Sequence, residues 1–226
     1  MNDNREMTVI ARIHTPFAGK FGVPRQSGLA PTEGRIVFTP AYRNPDALRG
    51  LEGFSHLWLI WVFDRAERKD WSPTVRPPRL GGNRRMGVFA TRSPFRPNPI
   101  GLSCVELAAV EWSTPDSPVL HVRGADLVDG TPILDIKPYL PYCDAKPQAT
   151  GGFTDGLTGG ALQVVCPPEL LARLPEKDRP GLLAVLGGDP RPRYQDDPER
   201  VYGLTYGQRN VKFRVAGDVL TVEDVE

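Results

Sequence analysis

Cysteine is scarce in this chain: Cys104, Cys143 and Cys166 are the only three in 226 residues, and no two form a CxxC pair. That excludes a disulfide framework and gives no zinc-site spacing, so no metal is expected. Each reads as a buried thiol in a reducing compartment. Long apolar runs are also missing. The best is Leu57 to Phe63, far short of the roughly 18 residues that a membrane-spanning helix needs. Met1 to Met7 is polar and of mixed charge, without the apolar centre of a secretion signal. A cytoplasmic location is expected. Nucleotide-binding fingerprints are absent too. Gly81 to Gly87 is glycine-rich, but its spacing is not GxGxxG and it opens no helix. There is no Walker sequence and no HExxH, and His14, His56 and His121 lie far apart in the chain. Nothing points to a Rossmann sheet, a P-loop or a catalytic triad.

Proline and glycine are abundant instead, 24 and 23 residues spread along the whole chain. Such punctuation implies many turns and short strands. Thr8 to His14, Arg35 to Thr39, Met86 to Thr91, Ser103 to Val110 and Val119 to Arg123 read as strands. Leu57 to Phe63 reads as a strand buried on both faces. With one short helical turn near Asp46 to Leu51, the pattern predicts a mainly β protein whose N-terminal part is a closed or nearly closed barrel. Residues 144 to 161, rich in Gly, Thr, Ala and Asp and without periodicity, read as a long loop. Beyond it, Pro168 to Leu174 and Asp178 to Leu186 are helix-like. Val211 to Val215 and Val219 to Val222, split by Gly217-Asp218, read as a hairpin. The expected organisation is a barrel over 1–143, a connecting stretch over 144–165 and a small α+β domain over 166–226.

Charge is unevenly placed. The net charge is only +1, yet nine Lys/Arg fall between Arg65 and Arg96 against two acids, and eight of the nine are arginine. Prolines through the same stretch rule out a long solvated helix. Arginine favours bidentate contact with phosphate and stacking on bases, so the segment points to an anionic ligand or a nucleic acid. The bland alternative is a solvated charged face. Three further clusters are stiffened by proline, which suits ligand contact because little entropy is lost on binding: Phe21 to Gly28, Thr91 to Gly101 and Asp126 to Tyr142. Within them Arg92, Arg96 and Asp135 to Lys137 stand out, with internal Arg–Asp pairing as the other reading. Asp189 to Tyr194 places an acid, two arginines and an aromatic on a stiff loop, a set suited to stacking on an unpaired RNA base or to no function at all.

These segments resemble the TrmO family (the YaeB/VirR-like proteins), tRNA methyltransferases acting on N6 of threonylcarbamoyladenosine beside the anticodon. The resemblance is carried by Phe21 to Gln26 (FGVPRQ), Arg49 to Trp58 (RGLEGFSHLW), Thr74 to Pro99 (TVRPPRLGGNRRMGVFATRSPFRPNP), Asp126 to Pro141 and Asp189 to Tyr194. It implies a β-barrel methyltransferase rather than a Rossmann one, working as a homodimer with S-adenosyl-L-methionine bound at loops near the subunit interface. By position, cofactor contacts fall on Pro24, Arg25, Gln26, Arg92, Leu102 and Arg123, Gly124, Ala125 and Asp126. Asp64 and Arg65 join them, where many members have His-Gln. Asp126, Asp129 and Asp135 are the candidates for accepting a proton. Asp135, Lys137 and Tyr139 are expected on the substrate side and Asp126 on the cofactor side. Arg84, Arg85, Arg96, Asp189, Arg191 and Tyr194 are expected to meet tRNA. A non-catalytic RNA-binding barrel, or a methyltransferase with another acceptor, would satisfy the arginine cluster equally well.

Overall fold

The fold is a computed structural model that describes residues 5–65, 71–77, 80, 84–155, 160–191 and 197–226. Three strands come first, β1 (Ala11–His14), β2 (Glu33–Phe38) and β3 (His56–Val62). A small two-stranded arm follows, β4 (Thr74–Val75) and β5 (Met86–Gly87), then β6 (Ile100–Glu111), β7 (Val119–Arg123) and β8 (Pro132–Pro138). All but the arm close into one barrel of order β1-β2-β7-β6-β3-β8, with every neighbouring pair antiparallel. Ile13, Ile36, Leu57, Leu59, Val105, Leu120, Val122 and Ile133 fill it, each at most 1% exposed. Closure pairs every strand edge, so this sheet leaves no open edge.

Three strands differ from their sequence reading. β3 alternates: Leu57, Leu59 and Trp61 point inward, whereas Trp58, Ile60 and Val62 are half-buried on the outer surface. Its continuous apolar run therefore serves a core on one side only. Outside, Trp58 is packed by Tyr139, with ring centroids 5.8 Å apart, and donates its indole N–H to Asp144 Oδ2 at 3.0 Å. The proline-rich stretch from Asp126 to Tyr142 is not all loop. Pro132 and Pro138 bound β8, the strand that closes the barrel against β1 and β3. Proline is tolerated at strand ends because a missing N–H there breaks no interior ladder. Met86 to Thr91 holds only two strand residues before Val88–Ala90 turn into a 3-10 helix.

The C-terminal part begins with α1 (Pro141–Asp144) and β9 (Gln163–Val165), followed by α2 (Pro168–Leu171) and α3 (Arg179–Gly187). It ends with β10 (Tyr202–Tyr206), β11 (Arg209–Ala216) and β12 (Val219–Val225). These last three strands and β9 form a sheet of order β10-β11-β12-β9. The hairpin at Gly217-Asp218 is present, with Gly217 at φ +57°, where glycine avoids the Cβ penalty. β9, which falls in the stretch read as a connection, pairs parallel with β12 as the sheet's edge. No helix among the described residues is long and apolar enough to cross a membrane. The thiols are not core residues: Cys143 is exposed and Cys104 and Cys166 are half-buried.

The β1–β2 connection, residues 15–32, leaves the barrel and packs into the C-terminal core. Phe17 and Ala30 are buried in the C-terminal core beside Leu182, Leu204 and Phe213. Phe17 meets Tyr206 edge-on at 5.7 Å, and Gly207 donates its N–H to the Pro16 carbonyl at 2.7 Å. Gly22 sits at φ +86°, and a Cβ there would come within 2.1 Å of Leu204. Burial pushes the Tyr206 phenol well up, with help from the charges of Asp178 and Glu33. Phe17→Ala is expected to lower stability by about 3–5 kcal/mol, measured by denaturant unfolding. A loss below about 1 kcal/mol would mean that the connection does not couple the two cores.

Candidate active site at the barrel end

Strand register builds the centre of the site. Glu106 on β6 pairs with Arg123, the last residue of β7. Continuing the antiparallel register three residues in opposite senses brings Ser103 and Asp126 together. The Ser103 hydroxyl donates to Asp126 Oδ1 at 2.5 Å. Ser103 is fully buried and also accepts the Trp61 indole N–H at 3.0 Å. Trp61 reaches it because its ring lies over Gly101, where a Cβ would sit 2.2 Å from the indole. The result is a chain of donors, Trp61 to Ser103 to Asp126, directed from the barrel interior toward its end. Burial raises the Asp126 pKa above the ordinary carboxylate value. The Ser103 hydrogen bond, the backbone N–H groups of Asp126 and Ser27, and the Arg92 charge draw it part of the way back.

The 15–32 connection supplies the facing wall. Arg92 donates to Gln26 Oε1, and Gln26 Nε2 donates to the Arg25 carbonyl at 2.5 Å. The Ser27 hydroxyl accepts the Cys104 N–H at 3.1 Å. Gly28 donates its N–H to the Gly124 carbonyl at 2.8 Å, and Gly124 donates to the Thr32 carbonyl at 2.9 Å. Thr32 Oγ1 donates to the Ala125 carbonyl at 3.0 Å. At Gly124, φ is +85° and a Cβ would sit 3.2 Å from the Gly28 amide nitrogen, so that close approach depends on glycine. Beside this wall lies an open cleft of about 230 Å³, bordered by Gly28, Pro31, His56, Cys104, Glu106 and Arg123. Arg123 and Glu106 form an ion pair at 3.0 Å on its rim.

Of the residues expected to bind a cofactor, the fold brings Gln26, Arg92 and Asp126 together, with Arg25 and Pro24 on the same loop and Arg123 to Ala125 leading into Asp126. Leu102 precedes Ser103 and is 53% exposed on the outer face of β6. Asp64 is exposed. Arg65 is a bracket between loops, donating to the Ala18 carbonyl at 3.2 Å and the Asp129 carbonyl at 2.7 Å. Asp129 itself accepts from the Thr15 N–H at 3.1 Å and contacts the His14 ring at 3.2 Å. Asp135 and Lys137 pair at 2.9 Å on the outer face of β8, and Tyr139 packs between Trp58 and His56. Ile60 on β3 is the register partner of both Asp135 and Leu102. Those two flank it on one face, about 10 Å apart at ordinary strand spacing.

The Asp189 loop joins from the second sheet. Asp189 has φ +51°, and its carbonyl accepts from Arg25 Nη2 at 3.1 Å. Its carboxylate holds Arg191 in a fork at 2.9 and 3.1 Å. Arg191 is only 9% exposed, so its guanidinium braces the loop from within instead of standing out toward a partner. Arg84 and Arg85 are exposed on the arm. Arg96 donates to the Thr91 carbonyl at 3.2 Å and lies over the Phe89 ring. Tyr194 lies outside the described residues, among which no cluster of His, Cys, Asp and Glu could hold a metal ion. Trp61, Ser27 and Ser103 were not legible as site residues. The signal for Ser103 is a hydroxyl at an inward position of β6, between Gly101 and Val105.

A barrel whose end presents a half-buried carboxylate, an arginine and an amide on interlocked loops defines a class of β-barrel enzyme distinct from Rossmann methyltransferases. The sequence pattern of the tRNA-methyltransferase O N-terminal domain matches residues 12–145, and that of the TrmO C-terminal domain matches 161–226. This chain belongs to that family. The tRNA (adenine(37)-N6)-methyltransferase of Escherichia coli (strain K12) is 46% identical over 215 residues, covering 91% of each chain. A Pseudomonas aeruginosa relative named "Putative S-adenosylmethionine-dependent methyltransferase RcsF" is 40% identical, covering 96% of this chain and 95% of its own. The crystal structure of TrmO from the same organism superposes with a TM-score of 0.81 at 34% identity, covering 100% of this chain and 98% of that one.

Asp126→Asn tests the electrostatic origin of the site. A carboxyl whose pKa is raised by folding favours the folded state most below its ordinary pKa, and that contribution is lost as pH rises through the raised value. The variant is therefore expected to be more stable than the parent at pH 7. The difference should close as pH falls toward about 4, near the ordinary Asp value, in thermal melts across pH. A variant destabilised equally at every pH would assign Asp126 a purely structural role.

Proposed function

We propose that this protein transfers a methyl group from S-adenosyl-L-methionine to N6 of adenine 37 of tRNA, with threonylcarbamoyladenosine as the acceptor. The observation that carries this reading is the convergence of Gln26, Arg92 and Asp126 in a chain that matches the family over residues 12–145 and 161–226. The donor set fits the cofactor. Arg92 offers a cation to a carboxylate, and Asp126 offers a partly desolvated anion to an ammonium or a sulfonium. The carbonyls and N–H groups of the 24–28 loop and of 123–126 supply edges for a base and ribose.

When bound, S-adenosyl-L-methionine supplies an electrophilic methyl on sulfur: the C–S bond breaks as the N–C bond forms, and N6 loses a proton. The protein's part is alignment in a site shielded from water. Arg92 and Asp126 anchor the two charged ends of the amino-acid moiety. The Trp61–Ser103 donors keep the Asp126 carboxylate in one orientation. Asp135, with Lys137 and Tyr139, faces the acceptor side, where Asp135 accepts the N6 proton. Asp64 and Arg65 shape the outer end of the cofactor loop, and Arg84, Arg85, Arg96 and the Asp189 to Tyr194 loop meet the anticodon loop.

We further infer a homodimer in the cytoplasm. The cleft is open and smaller than the 300 Å³ or more typical of small-molecule sites. Ile100 and Leu102, earlier on the same face of β6 as Cys104, stand 39% and 53% exposed, so a second copy would cover that face and supply the missing wall.

Incubation with cofactor and tRNA carrying threonylcarbamoyladenosine should add one methyl to that nucleoside, read by mass analysis of the digested tRNA. Transfer only to tRNA lacking the threonylcarbamoyl group would move the acceptor to plain adenosine. No transfer, with tRNA still bound, would leave a non-catalytic RNA-binding barrel. Arg92→Ala should weaken cofactor binding about tenfold or more, the contribution of a charged hydrogen bond, by calorimetry. An unchanged affinity would remove Arg92 from the cofactor site.

A further inference from the structure

The β4–β5 arm carries two large aromatic rings that no core covers. Trp71 is 51% exposed and Phe89 71% exposed, and their rings lie 6.3 Å apart and within 27° of parallel. The Arg96 guanidinium sits 5.9 Å above the Phe89 ring. Farther out, Thr74 pairs with Gly87 and Val75 with Met86, which brings Arg76 and Arg85 to adjoining positions, with Arg84 next in sequence. All three are exposed, and none forms an ion pair with an acid among the described residues.

We propose that Trp71, Phe89 and Arg96 form a stacking platform for an unpaired base of tRNA, with Arg76, Arg84 and Arg85 gripping the phosphates beside it. This rests on the tRNA reading above and adds the surface that receives the strand. Exposed aromatic faces cost hydration that a stacked base relieves, and every base presents a π-face to them. Arginine serves the same partner twice, by stacking and by phosphate contact. A second copy docking through this patch about a two-fold axis would bring arginines against arginines, which disfavours that occupant.

The platform is also rigidly coupled to the site. Thr91 Oγ1 donates to the Val88 carbonyl at 2.8 Å and accepts the Ser93 N–H at 3.2 Å, and the Thr91 carbonyl holds Arg96. Phe89 and Arg92 are thus ends of one braced turn, three residues apart and at most about 10 Å along the chain. A base resting on the rings is thus a close neighbour of the proposed cofactor site at Arg92.

The test is binding of tRNA carrying threonylcarbamoyladenosine at several salt concentrations by Trp71→Ala, Phe89→Ala and Arg84→Ala/Arg85→Ala, with cofactor affinity and oligomeric state measured on the same samples. Each aromatic variant should bind tRNA at least about fivefold more weakly, with an unchanged salt slope and unchanged cofactor affinity. Trp71→Phe should restore most of the loss. The arginine pair should flatten the slope by about 1.4 on a single-stranded contact. Aromatic variants that bind tRNA like the parent would overturn the platform and leave the rings to a protein partner. A loss of binding that tracks dissociation of a dimer would overturn it in favour of a subunit contact. A parent protein that binds no tRNA would instead defeat the tRNA reading itself.

Discussion

The loop between β1 and β2 is the constraint on which the rest depends. It leaves the barrel at His14, buries Phe17 and Ala30 in the core of the second sheet, and returns at Glu33. Between those anchors Gln26, Ser27 and Gly28 are pinned to Arg92, Cys104 and Gly124. An 18-residue loop without regular structure would ordinarily be mobile. Here both ends and the middle are tied to packed surfaces, so the polar groups at its tip are held with little entropy left to lose on binding.

That arrangement explains why the C-terminal sheet matters to a site it does not line directly. Arg25 donates to the Asp189 carbonyl, and the Asp189–Arg191 fork holds the loop that offers it. Asp189 keeps a left-handed backbone that a non-glycine residue rarely adopts. Such a conformation persists where surrounding bonds over-determine it, and positions of this kind gather at functional sites. The second sheet buttresses the 24–28 loop from behind, while the barrel presents Asp126 from the front.

Asp126 concentrates the electrostatics. Its desolvation would be costly alone, but a buried hydroxyl, two backbone N–H groups and Arg92 each return part of that cost. Low hydration also strengthens any charge–charge attraction made at this carboxylate. Asp135 is different. It sits on the outer surface beside Lys137, where solvent screens both, which suits a group that meets a large partner arriving from outside.

Much of the fold was legible because local rules govern it. Strand and turn patterning marked β2, β6 and β7, and Gly217-Asp218 marked the hairpin. β8 was hidden because its bounding prolines read as loop, and only barrel closure reveals that they fall at strand ends. β9 was hidden because three residues carry too little periodicity. The Trp61–Ser103–Asp126 chain was illegible for a deeper reason: its members are 42 and 23 residues apart, and only register across three strands brings them within a hydrogen bond. The exposed Trp71–Phe89 pair was likewise invisible, since an aromatic residue in sequence looks the same whether a core covers it or not. By itself the sequence determined which residues could hold charge, turn the chain or face a core. The tertiary structure alone decided which distant residues meet and which apolar surfaces stay uncovered, because those depend on long-range closure and not on neighbours along the chain.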